Sequence, residues 1–324
     1  MFLITLKQVG LLLFYIFLGY FLRRKKLVGE QAGAVLSKIL IYVFLPAYYV
    51  CSLSKNMTIE MVRTYLTLIL IGIVSVIFVL ILATFLCKIF SKDENVRNMF
   101  KYMIMFSNVG YFGYPLVEGV FGVEYLTMFM IYVLPITMVI NSYGYYILTK
   151  PTKEELLSKD GLNANNSKIS VLKSIFSPPM IASLIGLTLG LLPFDLPEVI
   201  YDFLTPASNC MSACAMIVSG SVLAKLPLKK LFVSSKGYLL SAIRLVGFPI
   251  IFGGILYLLG VRGIYFVCLV VFLSLPAGMN VIICPESVGK DSIEGAKACF
   301  VSYVVALATI PLVFMLMKSL PGII

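Results

Sequence analysis

Apolar residues run along this chain in blocks of about twenty, separated by short polar stretches, and nowhere alternate with polar ones at period two. Blocks of that length match the roughly 30 Å of hydrocarbon that a helix must cross, and the missing alternation argues against a barrel. The pattern predicts ten spans: Leu3–Leu22, Val35–Leu53, Tyr65–Phe90, Met99–Val120, Tyr125–Leu148, Ile175–Leu192, Phe203–Leu223, Gly237–Leu259, Tyr265–Cys284 and Ala296–Met317. The expected fold class is therefore an all-α polytopic membrane protein. The seventh span, with "TPASNCMSACAMIVSGS", is the most polar of them.

Two of the ten spans are spoiled where a membrane helix should be smooth. The fourth contains "FSNVGYFGYPLVEGVFG", with Asn108, Gly110, Tyr111, Gly113 and Pro115; the ninth contains "SLPAGMN", with Pro276, Gly278 and Asn280. Proline removes a backbone donor and clashes with the preceding turn, and glycine weakens a helix by up to about 1 kcal/mol. In hydrocarbon the freed backbone groups must be buried in protein or face water. Broken helices at matched places in two halves point to a midplane binding site, although kinks at Gly and Pro are also common in ordinary membrane helices. Half-helix N-termini carry free N–H groups and partial positive charge, which suits a carboxylate. The eight residues named in the two breaks are the candidate substrate contacts, with Asn108 and Asn280 orienting an anion without fixed charge.

Composition sharpens the class. The 324 residues are 60% hydrophobic and 13% charged, about half the charged share of a soluble domain. A net charge of +11 would suggest nucleic acid in a soluble protein, but the basic residues gather in alternate loops. Arg23–Lys26, then Lys88 to Lys101, Lys150 to Lys173, Lys225 to Lys236, and Lys290 with Lys297 fall on one side. The positive-inside rule makes that side cytoplasmic in a plasma (inner) membrane, with both termini outside. Omitting the seventh span would scramble this pattern, which supports ten. The first block has no cleavage site and ends in "RRKK", so it is read as a retained helix rather than a signal peptide.

The longest polar stretch divides the chain into residues 1–149, a cytoplasmic linker at 150–173, and residues 174–324. Five spans is an odd number, so two related halves must be inverted in the bilayer. "GYPLVEGVFGVEYL" and "IICPESVGKDSIE" are the matching ends of the fourth and ninth spans, pairing Gly122 with Gly289.

Arg244 stands inside the eighth span, "GYLLSAIRLVGFPII". A membrane arginine is a functional candidate; it either attracts the anion or snorkels to the headgroups. Asn209, Ser212, Met216 and Ser219 share one face of the seventh span, a pattern read as close helix packing. Without histidine, Ser–His catalysis, HExxH zinc chemistry and histidine relays are excluded. The seven cysteines read as packing residues, so neither a metal nor a cofactor is expected, and no enzyme.

Taken together, "LSKILIYVFLPAYYVCSLS", "FSNVGYFGYPLVEGVFG", "SPPMIASLIGLTLGLL", "IRLVGFPII", "SLPAGMNVIICPESVGKD" and "ATIPLV" resemble the auxin efflux carrier family of membrane transport proteins, nearly end to end. The resemblance implies a ten-helix inverted repeat whose fourth and ninth helices cross at their breaks. It also implies a homodimer with helices 1, 2, 6 and 7 as scaffold and helices 3–5 and 8–10 as a mobile unit. Export of a small organic anion by alternating access is the implied activity. The plant carriers have a second proline where this chain has Asn280-Val281, so an auxin-like substrate is not assumed. A cation-coupled symporter and a ligand-binding membrane receptor are the rival readings.

Overall fold

The computed structural model describes residues 2–151, 176–192 and 197–323. The linker expected at 150–173 lies outside the described residues from 152 onward. The described chain is helical. In order it runs α1 (Phe2–Arg24), α2 (Ala32–Asn56), α3 (Leu66–Phe90), α4 (Glu94–Met105), α5 (Val109–Gly113 continuing as Tyr114–Phe121), α6 (Val123–Thr149) and α7 (Pro178–Leu191). It continues with α8 (Glu198–Leu223), α9 (Ser235–Leu258), α10 (Gly263–Ser274), α11 (Asn280–Ser287) and α12 (Ile293–Ser319).

Among the described residues six helices are long and apolar enough to cross a membrane: α2, α3, α6, α8, α9 and α12. The fourth and ninth predicted spans are each two shorter helices, α4 with α5 and α10 with α11. The seventh, α8, starts five residues before the predicted Phe203 and runs unbroken through its polar stretch. Large apolar side chains face outward, with Phe203 82% and Leu258 86% exposed, which is tolerable only when lipid covers them.

Helix pairing follows the small residues. α1 lies along α8, and α7 along α2. At the first seam a Cβ on Gly220 would stand 1.9 Å from the Ile16 carbonyl oxygen. At the second, Gly186 and Gly190 have the small-xxx-small spacing that lets backbones touch; a Cβ on either would stand 2.6 Å from a carbonyl of α2. The remaining helices pack α3 against α4 and α6, and α9 against α10 and α12. Because backbone cannot step aside, Gly220→Val is expected to cost about 3 kcal/mol, measured as a fall in the melting temperature of the detergent-solubilised protein.

Three prolines sit just after a widened turn. The π-helical stretches Leu40–Phe44, Val109–Gly113 and Ala242–Gly247 precede Pro46, Pro115 and Pro249. In each, the residue before the proline closes an i→i+5 bond: Leu45 N–H to Leu40, Tyr114 N–H to Val109, and Phe248 N–H to Ile243. The wider turn relieves the ring's clash with the carbonyl four residues back.

Candidate functional site

The two breaks have different local causes. In the ninth span, Leu275 is extended at φ −69°, ψ 146°, as the residue before a proline is forced to be; Pro276 therefore ends α10. In the fourth span Pro115 lies seven residues past the break. There the stop is polar: Asn108 takes φ −77°, ψ 72°, and its Oδ1 accepts the Tyr111 N–H at 3.2 Å. That is an N-cap, which starts α5 and leaves Phe106 and Ser107 outside either helix.

Each break satisfies the other. Asn108 N–H donates to the Pro276 carbonyl at 2.8 Å and Gly278 N–H to the Phe106 carbonyl at 3.0 Å, so Ser107 and Ala277 form an antiparallel bridge. The Ala277 N–H is taken by Ser302 Oγ of α12 at 3.1 Å. Gly278 is required by this approach, because a Cβ there would press on the Tyr102 ring at 3.1 Å and the Phe106 carbonyl at 3.3 Å.

Beside the bridge lies a cavity of about 30 Å³, room for about two waters. Its wall includes Tyr48 and Tyr49 from α2, Asn108, Gly110 and Tyr111 from the first break, and Gly278, Met279 and Asn280 from the second. Among the described residues no charged side chain lines it. The N-terminal ends of α5 and α11 reach it through Val109, Gly110, Tyr111 and Asn280, and several of their first N–H groups are capped locally, Tyr111 by Asn108 Oδ1 and Ile282 by the Met279 carbonyl. Tyr111 Oη donates to Asn280 Oδ1 at 3.1 Å, and Tyr49 Oη to Asn141 Oδ1 at 3.2 Å. Among the described residues the buried Tyr48 hydroxyl makes no hydrogen bond of ordinary geometry, with Ser52 its side-chain neighbour. Such a group costs free energy unless something binds it, and it stands on the wall of the cavity that carries both asparagines.

The structure thus brings Asn108, Gly110, Tyr111, Gly278 and Asn280 to one cavity and leaves the other sequence candidates outside its wall. Gly113 packs under Leu275 of the opposite break. Pro115 is exposed, and the Tyr111 carbonyl four residues before it, which its ring cannot serve, accepts Ser212 Oγ of α8 at 2.8 Å. Of the polar face on the seventh span, Ser212 and Ser219 touch the broken helices while Asn209 is exposed. Arg244 is 1% exposed, so it reaches neither headgroups nor the cavity. Its Nη1 donates to the Met103 and Ile104 carbonyls at 2.5 and 2.7 Å, its Nε to Leu275 at 3.2 Å, and its Nη2 to Ser107 Oγ.

Sequence reasoning missed Ser107, Tyr303 and the tyrosines of α2. Asn108 Nδ2 donates to the Tyr303 hydroxyl. The available signal was Tyr48-Tyr49 two residues after Pro46, polar tips in an apolar span. The described residues hold no cluster of three or more metal-ligating side chains. A larger cavity of about 460 Å³ between α3, α6, α9 and α10 is walled almost wholly by apolar side chains such as Leu70, Phe78 and Phe252, and offers little to orient a polar solute.

The sequence model of the membrane transport protein family matches residues 4–314. The chain is 25% identical over 316 residues to an uncharacterized transporter of Methanocaldococcus jannaschii, covering 95% of this chain and 97% of the relative. It is 24% identical to an uncharacterized transporter of Methanothermobacter thermautotrophicus, covering 92% and 93%. A protein of Rhizobium meliloti named "Putative malonate transporter" is 23% identical, covering 94% and 93%. A match over nearly the whole length, together with the broken-helix motifs, makes this chain a transporter of the auxin efflux carrier family of membrane transport proteins.

Proposed function

We propose that this transporter is a secondary carrier that moves a small organic anion, in the export direction, by elevator-type alternating access around the crossing. The observation that carries the reading is the cavity at the bridge: two helix N-termini, two asparagines and a buried tyrosine hydroxyl converge there, and among the described residues no carboxylate lines it. Neutral donors and positive helix ends attract an anion. The same wall offers a cation no acidic side chain. The name of the Rhizobium relative is in keeping with a carboxylate substrate.

Ten spans in two inverted halves fit the pairing pattern. If the halves are inverted copies, the packing of the first span on the seventh must recur as the sixth on the second, and α1 with α8 and α7 with α2 have that arrangement. Each broken span ends at a glycine of positive φ, 92° at Gly122 and 77° at Gly289. In this reading α1, α2, α7 and α8 form the scaffold, which pairs as a homodimer, and the other helices move. The cavity of about 30 Å³ is too small for a carboxylate with its chain, so in this reading the cavity widens to admit one. With the basic loops cytoplasmic, the termini lie outside, and the inside-negative potential, worth about 2.3 kcal/mol per charge per 100 mV, expels an anion.

The test is charge movement on a solid-supported membrane carrying the reconstituted protein, with pulses of acetate, malonate and benzoate. A saturable current is expected, and Asn280→Ala is expected to weaken apparent affinity about tenfold to a hundredfold, the value of a hydrogen bond to a charged group. Currents indifferent to every carboxylate, or unchanged in the variant, would count against the site.

A further inference from the structure

Arg244 and Glu286 are the two charged side chains buried among the described residues. Glu286 has a cationic partner, Lys225 Nζ at 2.9 Å. Arg244 has no acidic partner among the described residues; its acceptors are three backbone carbonyls and the Ser107 hydroxyl. An uncompensated buried cation is expensive, so its acceptors matter. Met103 and Ile104 belong to the last turn of α4, and Leu275 is the residue that ends α10. Ser107 Oγ, which accepts from Arg244, itself donates to the Phe272 carbonyl in the last turn of α10. One guanidinium therefore holds the C-terminal ends of both half-helices that run into the crossing.

At the crossing four half-helix ends meet. The C-termini of α4 and α10 each carry about −0.5 charge, and the N-termini of α5 and α11 each about +0.5. Left alone, these sum to nearly nothing, and a site beside them has no preferred sign. A unit positive charge seated on the two C-termini cancels the negative pair and leaves the two N-termini unopposed at the cavity. We infer that Arg244 is a positioning residue that sets the sign of the site: it makes the crossing anion-selective from behind the bridge, without touching the anion. Ser107, which lines the cavity and accepts from Arg244, is the link between the two.

This inference rests on the proposed anion site, and the experiment separates the two. Full-length protein in liposomes is assayed by uptake of acetate, malonate and benzoate against their primary amides, which keep shape and lose charge. Arg244→Gln is expected to weaken carboxylate uptake roughly 30-fold, the effect of one unit charge at ~8 Å in an effective dielectric of ~20. Uptake of the amides should stay within about threefold. Arg244→Lys keeps the charge but loses the fork that reaches three carbonyls, and should stay within about threefold of wild type for carboxylates. A purely structural arginine would make the lysine variant fail like the glutamine one and would lower amide and carboxylate uptake together; either result overturns the inference. If Arg244→Gln does not fold, the lysine variant decides, since carboxylate uptake lost there overturns it and retained uptake supports it. Wild type that takes none of the three carboxylates overturns the anion site itself, and the inference falls with it.

Discussion

Asn108→Asp is expected to leave the protein folded and to stop anion uptake. Aspartate caps a helix as well as asparagine does, so the bond from the Tyr111 N–H to the residue 108 side chain, 3.2 Å long, survives. The Tyr303 hydroxyl loses a donor but can rotate to donate instead. What changes is the sign of the wall. A carboxylate at ~5 Å from a bound anion, at an effective dielectric of ~20, opposes binding by about 3 kcal/mol, more than a hundredfold. The reverse holds for Asn108→Ala, which removes the cap without adding charge and costs about 1 kcal/mol of stability. Counterflow of a labelled carboxylate, beside a melting curve for each variant, checks the pair. Undiminished uptake by a folded Asp variant would place the anion somewhere else.

A covalent tie between α6 and α7 is expected to abolish transport reversibly. Asn141 sits in the widened turn Ile140–Gly144 of α6, which belongs to the proposed mobile unit. It donates to Ser183 Oγ of α7 at 2.9 Å, accepts from Tyr49 of α2 at 3.2 Å, and its carbonyl accepts from Ser177 at 2.6 Å. Every one of these partners is on the proposed scaffold side, so sliding one body past the other must break all three bonds. Asn141→Cys with Ser183→Cys puts two thiols where that movement begins. Cys210, the exposed native cysteine, is replaced first, while Cys51, Cys87, Cys268, Cys284 and Cys299 are buried. Oxidation should then arrest uptake and reduction restore it. Uptake that continues with the tie closed would mean that the two groups of helices move as one body, and the elevator reading would fail.

How much of this was readable in the chain follows from what each feature depends on. Helix positions depend on runs of apolar residues, so α3, α6, α9 and α12 lie close to their predicted spans, and Leu275-Pro276 marks its own break because a proline restricts its predecessor locally. The fourth span misled: Pro115 drew attention downstream, whereas the break is set at Asn108 by a side-chain cap, a choice that proline counting does not see. Asn108 and Asn280 were legible as a pair of polar residues in oil, but their meeting at one cavity is a tertiary fact. The polar face of the seventh span reads as close packing, and Ser212 and Ser219 do pack on the broken helices, bonding to the Tyr111 carbonyl and to Met279 Sδ; which helices they meet is a tertiary fact. Arg244 stood out at once as a charge in an apolar run. Its carbonyl partners, more than a hundred residues away at Met103 and Ile104, could not be read from any local pattern.

Accessibility of a single thiol tests the central claim most directly. Gly110 lines the cavity, and a Cβ there would meet nothing within 4 Å, so Gly110→Cys fits the native backbone. In vesicles of known orientation, with Cys210 and Cys214 replaced, a membrane-impermeant maleimide is applied from each side in turn, with and without acetate, malonate or benzoate. Labelling from both faces, slowed by at least one of these anions, is the expected result. Labelling from one face alone, or at a rate no carboxylate changes, would contradict an anion site that opens alternately to the two sides.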